Sequence, residues 1–329
     1  MNIVYKLKNL VKNLISIKLF PSAIFNILNI YKYKKSINAN ISIVILFEHI
    51  GDIIACEPVS RYLKNELNSK VVWIVKDSYS ELLTLFCAVD KVIKVKTLSE
   101  VIYMKMFLHS SNVYNLHFDK ARKCSKYNLI LRNSNKTYTF ANYYNHGSIL
   151  ETFSTVGNLP PLNSCPYLNL ATNDRFPELS TPFIAIQIES NDIQRMWDIE
   201  KWEQLISNYP DLSFVLIGLR SYFTYKHNCI TRYCGKLSLV DIAYLINKSR
   251  LFIGIDSSCA HYANALKVPS IILLGKYNSF ERYNPYSGYD HNFKILHYTN
   301  LKDLPVEMVQ NELVSLVTTM DENNLIKNN

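Results

Sequence analysis

ISIVILFEHIGDIIACEPVSRYLKNEL, residues 41–67, is the stretch from which the fold is read. Ile41–Phe47 is apolar almost throughout, as a strand buried on both faces of a parallel sheet must be. Glu48-His49-Ile50-Gly51-Asp52 reads as a turn, with Gly51 letting the backbone leave the strand sharply. Ile53–Leu67 reads as a helix with Pro58 within or near its first turns. The same alternation continues outward. Val71–Val75, Lys91–Val95 and Val113–Leu116 read as strands, and Ser78–Phe86 and Ser99–Leu108 as helices. Residues 120–146 are basic, rich in Asn and Tyr, and show no clear period, whereas Gly147–Gly157 looks helical. Asn158–Pro182 holds five prolines and is the natural linker.

A second run follows the linker. Its strands are Phe183–Ile188, Leu212–Ile217, Leu251–Ile255 and Ser270–Leu274. Its helices are Ile199–Asn208, Ser238–Asn247, Ala260–Leu266 and Leu304–Met320, before a polar tail at 321–329. Strands alternating with helices over short connections predict an α/β fold of two doubly wound parallel sheets. Ligands in such sheets bind beyond the carboxyl ends of the strands, and with two sheets in the cleft between them.

The bulk properties narrow the class. A chain of 329 residues favours about two domains of roughly 150 residues. Seven Cys, odd in number and without a CxxC, argue against a disulfide framework or zinc ribbon and for reduced thiols. The net charge of +9 is concentrated at the start: residues 1–40 hold seven Lys and no Asp, Glu or Arg. The rest is close to neutral, which speaks against a nucleic-acid footprint. No stretch reaches the ~18 uninterrupted apolar residues of a membrane span. No signal peptide is evident. Val4, Leu7, Val11, Leu14 and Ile15, with Lys6, Lys8, Lys12 and Lys18 between them, describe an amphipathic helix over 3–19. Pro21 ends it, and Ala23–Tyr31 looks like a second short helix. The leader either lies on anionic lipid or packs on the domain with its lysines in water.

Three constellations carry chemistry. Asp52 follows a strand and opens a helix, where a carboxylate can serve as a general base or simply cap the helix. His49 either tunes that carboxylate or fills the turn. Gly254-Ile255-Asp256-Ser257-Ser258-Cys259-Ala260-His261 ends a buried strand and opens a helix. Its free backbone N–H groups and two hydroxyls suit a diphosphate, with His261 one turn on, or form an ordinary cap. Arg195-Met196-Trp197 offers a planar guanidinium fork for phosphate, or a solvated loop arginine. Gly218 ends a strand and permits close backbone approach to a nucleotide, and Ser190 is a further donor-side candidate. There is no GxG, P-loop, HExxH, DxD or GxSxG, so no dinucleotide, metal or serine-hydrolase signature is present.

Taken in order, these segments resemble glycosyltransferase family 9, the bacterial lipopolysaccharide heptosyltransferases. The resemblance is carried by ISIVILFEHIGDIIACEPVSRYLKNEL, by VVWIVKDSYSELLTLFCAVDKVIKV, by CGKLSLVDIAYLINKSRLFIGIDSSCAHYANALKVPSIILLG and by ERYNPY, and spans Ile41 to Tyr286. It implies a GT-B architecture: two Rossmann-like doubly wound domains facing a cleft, with a C-terminal helix returning to the first. The implied divisions are a basic helical leader at 1–40 and an acceptor-binding domain at 41–172. A nucleotide-sugar domain follows at 173–300, then a C-terminal helix and polar tail at 301–329. The implied reaction is an inverting, metal-independent transfer of a heptose or related sugar to a hydroxyl of a surface glycan such as lipopolysaccharide core. The nucleotide-sugar is a substrate, and no cofactor or metal ligand is expected.

By the same resemblance Asp52 is the base. Ser190, Arg195, Gly218, Asp256, Ser257, Ser258 and His261 are the donor-side residues. His49, in the turn before Asp52, and His117, Asp119 and Lys120, which follow a strand end facing the same cleft, are the acceptor-side candidates, or the last three belong to a solvated loop. Three departures stand out: Ser258 replaces the family's usual Gly, Leu219-Arg220-Ser221-Tyr222 lacks the acid that reads the donor ribose after the Gly218 position, and the basic leader at 1–40 lies outside the usual pattern. Expected partners are a nucleotide-sugar, a glycan or glycolipid acceptor and an anionic membrane surface touched by residues 1–35. The expected place is cytoplasmic, peripheral on the inner face of a bacterial inner membrane. Competing readings are a nucleotide-sugar epimerase or hydrolase of the same fold, and a non-catalytic glycan or nucleotide binder.

Overall fold

The computed structural model of the chain describes residues 20–108, 112–124, 129–172, 175–179, 182–220, 223, 228–275 and 293–327. The expected leader helix at 3–19 and the ERYNPY segment lie outside these residues. The chain divides within the proline-rich stretch into two compact units, residues 1–164 and 165–329.

The first unit opens with α1, Phe20–Ile37. Pro21 sits in its first turn, where a missing N–H costs nothing, so the helix starts before the proline and runs beyond the expected end at Tyr31. Then come β1 (Ile41–Ile45), α2 (Ile50–Ala55), α3 (Glu57–Asn65) and β2 (Lys70–Lys76). The helix expected over 53–67 is thus two helices broken at Cys56, because Pro58 at the start of α3 cannot continue the α2 ladder. The helix expected over Ser78–Phe86 is a 3₁₀ segment, Asp77–Leu85. The Ser80 and Thr84 hydroxyls donate to the carbonyls of Asp77 and Glu81, tightening it. β3 (Lys91–Val95), α4 (Leu98–Phe107) and β4 (Val113–Asn115) complete a parallel sheet of order β3-β2-β1-β4. A small hairpin, β5 (Lys123–Cys124) and β6 (Leu129–Ile130), and α5 (Ile149–Val156) follow.

The second unit contains β7 (Phe183–Gln187), α6 (Ile199–Ser207), β8 (Ser213–Ile217) and β9 (Ile230–Arg232). They are followed by α7 (Leu239–Lys248), β10 (Leu251–Ile255), α8 (Ser258–Ala265), β11 (Ser270–Leu274), β12 (Phe293–His297) and α9 (Val306–Lys327). Its six strands are all parallel in the order β12-β11-β10-β7-β8-β9. Numbered within the unit, that is 3-2-1-4-5-6, the doubly wound dinucleotide-binding order. The first sheet repeats its 3-2-1-4 portion. β1, β7, β10 and β11 are buried at every position, which is why they read as apolar runs. Val309, Leu313 and Leu316 of α9 pack into the second core. The segment expected as a polar tail is helical through Lys327.

Candidate active site

Each sheet has one place where the chain leaves two adjacent strands in opposite directions, β1/β4 in the first and β7/β10 in the second. Such switch points open a crevice at the carboxyl ends of the strands. The candidate residues gather at both.

In the first unit the turn after β1 hands the chain to α2. His49 is the N-cap of α2, and its carbonyl accepts the Ile53 N–H at 3.0 Å. Its backbone is at φ 69°, ψ 106°, a region unfavourable for a residue with a Cβ, so the turn holds local strain. Asp52 therefore does not cap the helix. It is the third helical residue, half-buried in the first turn, where the helix dipole favours a carboxylate. One turn on, the buried Cys56 thiol is pushed well up by burial and by the Asp52 charge.

His117, just past β4, is buried, and its Nε2 accepts the Phe47 N–H at 2.9 Å. An imidazole that accepts there is neutral at that nitrogen. Burial, with the charges of Arg122 and His49, lowers its pKa to about 3. Asn133 fastens this strand end, its Nδ2 donating to the carbonyls of Asn115 at 2.7 Å and His117 at 2.8 Å. Asp119 is engaged in the same loop: one oxygen accepts the Asn133 N–H at 2.9 Å and the other pairs with Lys136 at 2.8 Å. Burial pushes the Asp119 carboxyl up, but these partners and Arg132 outweigh it and the net shift is downward. Lys120 is exposed, at φ 59°. His49, Asp52 and His117 thus share one sheet edge, while Asp119 is committed to the 133–136 loop.

In the second unit Asp256 follows the last residue of β10, Ser257 caps α8, and Ser258 is its first helical residue. The Ser257 hydroxyl accepts the Cys259 N–H at 3.2 Å and donates to Gln187 Oε1 at 2.8 Å. Gln187 ends β7, and its amide donates to the Glu189 carbonyl. Asp256 is buried, and Arg195 Nη1 stands 3.3 Å from its Oδ2. Burial raises the Asp256 pKa, and the Arg195 charge only partly offsets this. Arg195 ends a short turn, Ile193–Arg195. Two residues later Trp197 is buried, donating to the Leu304 carbonyl at 3.0 Å and packing edge-on against Trp202. That anchor fixes the loop that carries Arg195 two residues before it. His261, three residues into α8, is buried, and burial alone lowers its pKa to about 4. Ser190 accepts the Asp192 N–H at 3.1 Å and so shapes the loop leading to Arg195.

Two residues of this unit went unnoticed in the sequence. Gln187 ties β7 to the α8 cap, as described. Glu189 reaches across to the loop after β8, accepting the N–H groups of Leu219 and, at 3.1 Å, Arg220. Gly218 makes room for it: at φ +141° a Cβ there would lie 2.8 Å from Glu189 Oε1. An acid from the loop after β7, Glu189, thus stands at this corner, engaged with the backbone of the 219–220 turn. The only legible signal was a polar pair, Gln187 and Glu189, closing an otherwise apolar strand. Among the described residues no group of three or more His, Cys, Asp or Glu could hold a metal ion.

Residues 153–312 match the model of glycosyltransferase family 9 (heptosyltransferase). The resemblance seen in the sequence is borne out over that segment, and the two-domain α/β fold is shared with solved structures. A glycosyltransferase family 9 structure from Veillonella parvula superposes with a TM-score of 0.64 at 17% identity, covering 85% of this chain and 97% of the other. The ADP-heptose lipopolysaccharide heptosyltransferase II of E. coli gives 0.66 at 16% identity, covering 85% and 100%. A second E. coli heptosyltransferase, solved with ADP-2-deoxy-2-fluoro heptose, gives 0.56 at 14%, covering 83% and 99%. No curated protein sequence matches.

Proposed function

We propose that this chain, a glycosyltransferase by its family match, transfers a sugar with inversion and without a metal from a nucleotide-diphosphate donor to a glycan hydroxyl. The observation that carries the reading is the second switch point. There the amino end of α8, the Ser257 and Ser258 hydroxyls and the Asp256-anchored Arg195 converge. Helix N–H groups and a guanidinium stabilise the charge that grows on a departing diphosphate, the task a metal performs elsewhere. The Arg195–Asp256 pair and the Ser257–Gln187 bond hold these groups before the ligand arrives. Little reorganisation then remains for the reaction itself. His261, buried and neutral, donates a hydrogen bond to a phosphate or sugar oxygen.

At the other switch point Asp52 takes the acceptor proton. The freed oxygen attacks the anomeric carbon from the face opposite the diphosphate, the bond to the phosphate oxygen breaks, and the configuration inverts. His117 holds the Phe47 amide, and with it the base-bearing turn. The acceptor is a bacterial surface glycan such as lipopolysaccharide core, met beside His49, His117 and Lys120. The donor is a heptose or a related sugar. The protein works in the cytoplasm, peripheral on the inner face of the inner membrane, with residues 1–35 against anionic lipid. No helix of the described residues is long and apolar enough to cross a membrane.

A thermal-shift panel of ADP-, UDP-, GDP- and CMP-sugars tests the donor half, since a bound ligand raises Tm by mass action. Transfer to a glycan acceptor in excess EDTA tests the rest. Full activity with inverted product is expected. Loss of activity that a divalent metal restores, or a retained anomeric configuration, overturns the mechanism.

A further inference from the structure

Helix α1 has two contrasting faces. Ala23, Ile27 and Ile30 are buried in the first core, against the elements that carry Val95, Val101, Ile102 and Met104. Phe20 packs edge-on against Tyr103 and Phe107 at 5.8 and 5.5 Å. The helix is therefore an integral part of the unit. Its opposite face shows Phe25 at 64% exposure and Leu28 at 50%, while Tyr31, at 42%, stands on the flank between that face and the groove at the helix end. Lys32 and Lys35 lie on that same outward face by helical spacing and are exposed. A helix with no acidic residue, one face already packed and large apolar groups left in water, is the pattern of interfacial binding.

The lysines continue past the helix. An open groove of about 930 Å³ runs from the end of α1 along the amino edge of β1 and β2, lined by Lys34, Lys35, Lys64 and Lys70 together with Asn40 and Ser69. One carboxylate, Asp90, stands among them, 3.1 Å from Lys70 and 3.9 Å from Lys64. The surplus is strongly positive and lies at the end of the sheet remote from Asp52.

We propose that the outer face of α1 and this lysine groove form one docking surface for an anionic lipid bilayer. Phe25, Leu28 and Tyr31 enter the headgroup boundary, and Lys34, Lys35, Lys64 and Lys70 meet lipid phosphates. The charge complementarity selects the occupant: a partner protein or second copy would need an acidic face, whereas a phospholipid surface supplies phosphate across the whole groove. This deepens the peripheral-membrane reading above by moving the contact from the leader to the folded unit. It does not depend on the transfer chemistry.

The test is flotation of the full chain with phosphatidylcholine vesicles, with and without phosphatidylglycerol. Wild type is expected to float only with the anionic vesicles, and less as salt rises. K34Q/K35Q/K64Q/K70Q should lower partition by tenfold or more, since each lysine near an anionic surface is worth ~1 kcal/mol, about fivefold. F25S/L28S, at exposed positions that leave the core intact, should lower it comparably. K6Q/K8Q/K12Q/K18Q, which alters only the leader, should keep most of the binding. If the leader variant alone releases the protein, this surface is overturned while the peripheral reading survives. If wild type ignores anionic vesicles, both fall. Stabilisation by inorganic phosphate without vesicle binding, or a dimer lost in F25S/L28S without vesicle binding, also overturns it.

Discussion

The two switch points share a topology and differ in how they hold their polar groups. At the first, Asp52 is half-buried on a turn whose preceding residue, His49, is exposed and kept at positive φ. At the second, Asp256 is buried against Arg195, Ser257 is locked to Gln187, and Glu189 clamps the next loop. In the proposed reaction Asp52 has to collect a proton and needs reach to an incoming hydroxyl, which open surroundings give. Groups that must stabilise developing charge work best fixed and desolvated in advance. One fold element, used twice, is thus finished in two ways.

The contrast breaks most severely at Asp52. Asp52→Asn keeps the shape and removes the proton acceptor, so transfer should fall ~10²–10⁴-fold while the donor still raises Tm as in wild type. Near-normal turnover by that variant would remove Asp52 from the chemistry. Arg195→Met should cost a loss of ~10²–10³ in transfer, the size seen when one charge-stabilising donor is removed. It should also leave Asp256 buried without its cation. A carboxyl whose folded pKa is raised holds its proton more tightly when folded. Stability is then fullest below the unfolded carboxylate pKa and is lost as pH rises through the folded one. Arg195→Met should therefore be closest to wild type in acid, and a Tm deficit that stays constant with pH would contradict this.

Two histidines sharpen the comparison, because each unit buries one. His117 and His261 have folded pKa values of about 3 and about 4, below the ordinary 6.5. Their folded forms resist the proton, so their stability contributions are whole above pH ~6.5 and drain away as pH falls toward those lower values. His117→Gln and His261→Gln should each flatten the acid limb of the stability curve, and an unchanged limb in both rejects the assignment. Gly218→Ala should be milder, with strain of order 1–3 kcal/mol and weakened donor binding as Glu189 is pushed from Leu219 and Arg220. Ser258→Gly, which installs the residue usual at this place in glycosyltransferase family 9, should be the smallest. Extra backbone freedom in α8 costs about 0.5–1 kcal/mol, and donor affinity should move less than tenfold.

The parallel core was legible because β1, β7, β10 and β11 are buried at every position and so read as apolar runs. β9 and β12 were missed for the converse reason. Ile230–Arg232 is three residues long with one buried, and Phe293–His297 carries Lys294 on a mostly half-buried sheet edge. The Asp256–His261 turn was readable as a strand end running into a helix. Glu189 was not, since its role arises from a contact thirty-one positions along the chain, with Arg220, that no local pattern encodes. Asn133 was hidden in the same way: its partners Asn115 and His117 belong to a strand end far back in the sequence. The break at Cys56 was half visible, since Pro58 was noticed but its power to restart the helix was not.

β1 also acts as a ruler. Five residues at ~3.3 Å each separate its lysine-rich entry from its acid-bearing exit by about 16 Å. α1 lies along the same ruler in the opposite sense: Tyr33 meets Lys91 at the entry of β3 and Asn26 reaches the Lys94 carbonyl one residue from its exit, so a bilayer seated on Phe25 and Leu28 runs beside the strands rather than across their entry alone.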